Sequence, residues 1–226
     1  MGNIFRNLDW SFWYGRIVSL VAVLICMVFH ELAHGFVSHK LGDSTAKTMG
    51  RLTLNPLKHI DVLGALAFVF FGFGWAKPVQ VDPRNFKKPK RDMAITAFAG
   101  PVSNFLLAVI FLFLLGVVFP FLRNSTAGNI VLDIIYITAT FSVVLGIFNM
   151  IPVPPLDGSK VLFAVASDEL YYKLMRYERY GFILLLFVIF LNYRTGFLSI
   201  ATDAVMNWLS NITRFSYGIM MSIIGS

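Results

Sequence analysis

One cysteine, four histidines and twelve acidic residues are all the chain offers, in 226 residues, as soft, imidazole or carboxylate ligands. The single cysteine, Cys26, excludes an intramolecular disulfide and any metal site built from several thiolates. Within an apolar stretch it reads as a packing residue. Charge is scarce as well: Asp, Glu, Lys and Arg make up 14% of the chain against 57% hydrophobic residues, with a mean hydropathy of +0.72. That balance excludes a soluble globular domain and implies an integral, multi-pass membrane protein in contact with the lipid bilayer. Bases outnumber acids, 19 to 12, but they lie between apolar runs, where anionic headgroups and the positive-inside rule account for them. No nucleic-acid partner is expected. No cleavable signal peptide is expected either, since no small-residue cleavage site follows the first apolar stretch. Long polar segments and repeats are absent. One membrane-embedded domain over 1–226 is expected, with a core at about 17–165 and further apolar segments at about 181–224.

The apolar runs set the fold class. Ile17 to Val37, Met93 to Phe119 and Val131 to Val153 are each long enough to cross a bilayer as a helix, which takes roughly 20 residues. Shorter or interrupted runs cover Val62 to Ala76, Gly181 to Leu191 and Phe197 to Ile224. Connections rich in Lys and Arg, 38–61, 77–92 and 159–179, are expected on the cytoplasmic side, and 120–130 outside. The run from Val62 to Ala76 then has cytoplasmic flanks at both ends. It is glycine-rich, "FFGFGWAKPV", and is expected to dip into the membrane, or to pair with neighbouring extended pieces, rather than cross it. Irregular backbone at that depth needs protein or a wet cavity to satisfy its polar groups. The expectation is an all-α polytopic helical bundle with a short membrane-associated extended or β loop region, in the cell membrane.

Chemistry concentrates in "HELAH". His30 and His34, four apart, share one face of a helix and can reach one metal ion, with Glu31 beside them to act on water rather than on the metal. Two histidines at ligand spacing with an adjacent carboxylate, in a run bound for lipid, are hard to account for as packing. His39 and His59 lie in a basic loop and are expected to be solvated or structural. A catalytic zinc needs a third protein ligand and an open position. Asp133 sits at an outer helix end and Asp203 in the C-terminal stretch. Asp157, in "FNMIPVPPLDGSK", is the better candidate: the prolines stop the preceding helix, which ends on the same side of the membrane as His30 and His34.

The pair "HELAH" and "NMIPVPPLDG" resembles the two signatures of the site-2 protease family of intramembrane zinc metalloproteases. The resemblance covers about residues 17–165. It implies that His30, His34 and Asp157 hold one zinc per chain, that Glu31 is the general base, and that Asn149 lies near the scissile carbonyl. "GPVSNF", with Asn104, resembles a further family element, and "GFGWAKPV" a membrane-associated loop thought to receive substrate. The implied activity is hydrolysis of peptide bonds within or near transmembrane segments of membrane-protein substrates, with the active site towards the cytoplasm. A catalytically silent scaffold and a metal-ion transporter are the alternatives; neither has much use for Glu31 within HExxH.

Overall fold

A computed structural model describes residues 10–71, 74–177 and 180–225. Nine α-helices follow one another among them: α1 (Trp10–Leu41), α2 (Thr45–Thr48), α3 (Val62–Phe71), α4 (Pro89–Leu122), α5 (Thr126–Met150), α6 (Asp157–Ala164), α7 (Asp168–Tyr177), α8 (Gly181–Thr195) and α9 (Phe197–Ile224). Helices α1, α4 and α5 are each long and apolar enough to cross a membrane, and α8 with α9 qualifies as a fourth, broken span bent by 71°. Local chemistry sets the ends. Pro89 opens α4, where a missing N–H costs nothing, and the Ser125 hydroxyl caps α5 by accepting from the Gly128 N–H. Pro152, Pro154 and Pro155 follow α5 directly. Gly196, at φ +65°, makes the break between α8 and α9.

α4 is the hub, packing against α1, α5, α6 and α9. Ala108 and Leu112 of α4 meet Ala139 and Val143 of α5 and Leu209 of α9 in the buried core. Small residues on both sides let the backbones approach, as membrane helices require. Cys26 is buried, with Sγ 3.4 Å from the Thr138 carbonyl and 3.1 Å from the Ser142 hydroxyl, a packing residue.

The segment expected to dip is a short helix followed by an extended return. α3 has 10 residues, hence a length of about 15 Å, roughly half a bilayer core. The chain then returns extended beside it: the Lys77 N–H donates to the His59 carbonyl at 2.9 Å, and Ile60 and Ala76 form an isolated antiparallel bridge. Among the described residues this bridge is the whole of the expected β character. Gly72 and Phe73, which open the stretch that resembles a substrate-receiving loop, lie outside the described residues. His59 is buried and structural, its Nε2 at 2.9 Å from the Thr53 carbonyl.

Candidate metal centre

One turn of α1 separates His30 from His34, and their rings meet edge to face with centroids 4.5 Å apart. The two Nε2 atoms lie 2.9 Å apart, and Oδ2 of Asp157 lies 3.1 Å from each. Asp157 reaches them because it opens α6 immediately after the proline run. Gly158 permits this approach: a Cβ there would sit 2.3 Å from the Met150 carbonyl oxygen. Each of the three side chains belongs to a residue only 8% exposed.

The donors fit a zinc ion. Tetrahedral ligands with bonds of 2.0–2.1 Å lie about 3.3 Å apart, close to the triangle formed by the two nitrogens and the oxygen. Two imidazoles and one carboxylate leave a fourth position open, as in catalytic rather than structural zinc sites. The far sides of the rings are also committed. Nδ1 of His34 donates to the Thr96 carbonyl at 2.7 Å, which leaves the lone pair on Nε2 towards the centre. Nδ1 of His30 faces the side-chain amide of Asn104 at 3.1 Å. The Oδ1 of that amide is buried with no hydrogen-bond partner among the described residues, and rotation by half a turn offers it to an Nδ1–H on His30. Between these two contacts, Gly100 makes room: a Cβ would lie 2.4 Å from His34 Nε2 and 2.5 Å from His30 Cε1. Thr96, Gly100 and Asn104 are spaced by four and share one face of α4.

Glu31 stands apart from the ligand triangle. Its Oε2 accepts the Val79 N–H at 2.7 Å, from the extended segment that follows α3. A polar cavity of about 360 Å³ joins His30, Glu31, His34, Asn149 and Asp157 with Val79 and Gln80. Asn149 lines it with its Nδ2 donating to the Leu145 carbonyl at 3.0 Å. Asp133 and Asp203, the other acids weighed as ligands, lie elsewhere: Asp133 accepts from the Tyr14 hydroxyl at 2.7 Å, and Asp203 is exposed on α9. Sequence reasoning missed Lys160, which also lines the cavity and was counted only as a loop charge. Its place three residues after Asp157, on the same face of a helix, was a usable signal. The partners Thr96 and Val79 contribute through backbone groups, which carry no side-chain signal.

The family model of peptidase family M50 matches residues 18–126 and 118–191 of the chain. YwhC of Bacillus subtilis, provisionally named a zinc metalloprotease, is 40% identical over 169 residues, 74% of this chain and 77% of its own length. MJ0611 of Methanocaldococcus jannaschii, named in the same way, is 33% identical over 147 residues, 65% of this chain and 69% of its own. Rip2 of Mycolicibacterium smegmatis is 29% identical over 177 residues, 74% of this chain but 64% of its own length. No solved structure matches the chain.

Proposed function

The chain belongs to peptidase family M50, the site-2 protease family, and on that premise we propose that it is a zinc endopeptidase that cuts membrane proteins within or near their transmembrane segments. The observation that carries this reading is the convergence of His30, His34 and Asp157 beside Glu31 in one buried polar cavity. One zinc per chain is held by those three side chains. When bound, zinc supplies Lewis-acid polarisation of the scissile carbonyl and lowers the pKa of water. Glu31 takes the proton of the attacking water on its carboxylate and returns it to the leaving amine. The Val79 N–H fixes one carboxylate oxygen and leaves the other for the proton. The Asn149 amide, released from Leu145, donates to the oxyanion that develops on the carbonyl.

A substrate helix offers no free peptide bond, because its carbonyls are tied into the helix. It must unwind, and the extended residues beside the cavity present backbone with which an unwound segment can pair. Loop charges support a cytoplasmic active site in the cell membrane, within a single protease domain. The test is incubation of purified protein with a panel of single-span membrane substrates, with and without chelator. Cleavage abolished by chelator and restored by zinc is expected. Zinc flux across liposomes with no cleavage of any substrate would instead identify a transporter.

A further inference from the structure

The last helix shows the wrong face to lipid. Asp203, Asn207, Asn211 and Arg214 recur on α9 at spacings of four, four and three, so they form one stripe, and all four are exposed. The opposite face holds α9 in the bundle: Leu209 enters the α4–α5 core, and the Thr213 hydroxyl donates to the Leu112 carbonyl at 2.9 Å. A Cβ on Gly116 would lie 2.0 Å from Ser216 Oγ, which places α9 in close backbone contact with α4. These contacts set α9 from Leu209 to Ser216 beside the most apolar part of α4, with Asp203 about 9 Å before Leu209 along the axis. The stripe is bordered by Trp208, 74% exposed, and Phe215, 65% exposed, side chains suited to hydrocarbon. Among the described residues neither Asp203 nor Arg214 is in an ion pair. Arg214 can extend towards an interface, but the short Asp203 cannot, and ionisable groups at membrane depth normally face protein or water.

We propose that this stripe is the docking surface for a transmembrane helix of a different protein, one with a basic group at the depth of Asp203, an amide in the middle and a carboxylate at the depth of Arg214. Charge selects against a second copy. Two chains inserted the same way round present α9 in parallel, and a twofold axis then sets Asp203 against Asp203 and Arg214 against Arg214. A complementary helix pairs both charges, about 16 Å apart along the axis, and gives both asparagines interhelical hydrogen bonds. α9 is held by α4 and α5, whereas the histidines of the metal centre are on α1. The partner therefore docks outside the cavity and need not be a substrate.

The full chain and a designed single-span Leu/Ala helix, each fused to a fluorescent protein, are co-expressed, and their association in the membrane is read by energy transfer. The helix carries a central Asn, with Lys at one depth and Glu at the other; a second version exchanges the two charges. The parent chain should prefer one version by about tenfold, and the double variant Asp203→Lys, Arg214→Glu should prefer the other. The variant Asn207→Leu, Asn211→Leu, which lipid tolerates, should bind both versions more weakly while keeping its zinc content. Equal association with both helices overturns the proposal, as does a preference that the charge exchange on α9 fails to invert. Self-association of the chain that depends on the asparagines and exceeds its binding to either helix also overturns it, in favour of a second copy.

Discussion

The ring nitrogen turned away from a metal fixes the tautomer and orientation of a ligating histidine, and α4 supplies a partner there for both rings. Asn104→Ala removes the group facing His30 Nδ1 and should weaken zinc binding about 10- to 100-fold, measured by competition with a chromogenic chelator. Asn104→Asp, which can still accept from Nδ1–H, should recover part of that loss. A merely structural role would give no such ordering. Gly100→Ala forces a methyl to within 2.4 Å of His34 Nε2 and should lose zinc in a folded protein, as read by elemental analysis beside an unchanged helical circular-dichroism signal. Asp157→Asn weakens a ligand, so metal occupancy and activity should fall together. At this scale the sequence was legible where chemistry sits in side chains at fixed local spacing, as in His30, Glu31 and His34. Asn104 could be flagged only by resemblance, because its partner lies 74 positions away.

Among the elements, the return from α3 to α4 lines the cavity through Pro78, Val79, Gln80 and Val81, and Asp43 anchors it. The Asp43 carboxylate accepts from the Thr45 N–H, from Asn85 Nδ2 at 2.8 Å and from the Asp82 N–H at 2.9 Å. Burial raises its pKa, but the hydrogen bonds from Thr45 and Asn85 prevail and leave it below the ordinary value. A carboxyl with a depressed folded pKa contributes fully above the unfolded value of about 3.9 and loses that contribution as pH falls through the folded one. The protection of amides around Asn85, after correction for the intrinsic pH dependence of exchange, should therefore be steady from neutral pH down to about pH 4 and fall only in stronger acid. Asp43→Ala should show the lowered protection at every pH. That the run from Val62 forms no spanning helix was legible from loop charges. The extent of β pairing was not, because Pro78 lacks an N–H and the N–H groups of Val79 and Asp82 go to the side chains of Glu31 and Asp43. Those long-range acceptors leave one bridge where the extended stretch suggested a strand.

For the whole molecule, apolar surface is the rule rather than an exception: Phe182, Ile183, Phe187 and Phe190 of α8 are all exposed, which only a lipid surround accommodates. Long uninterrupted runs made three spans legible. The α8–α9 pair was less so, since a single left-handed glycine bends it by 71°. Single-cysteine reporters, placed after replacement of Cys26, should label from the cytoplasm at Lys47 and Lys88 and from outside at Asn124; the reverse pattern would invert the orientation. The approach of Asp157 to His34, across 123 positions, was legible only as a coincidence of depth, and its geometry follows from α6 opening at the end of the proline run. The proposed function rests on one division of labour, in which three side chains hold the metal and Glu31 moves the proton. The direct test is the initial cleavage rate of Glu31→Gln at zinc content matched to the parent. The amide keeps the shape and cannot act as a base, so the rate should fall by about 10² to 10⁴ with zinc retained; cleavage within a few-fold of the parent would contradict the assignment.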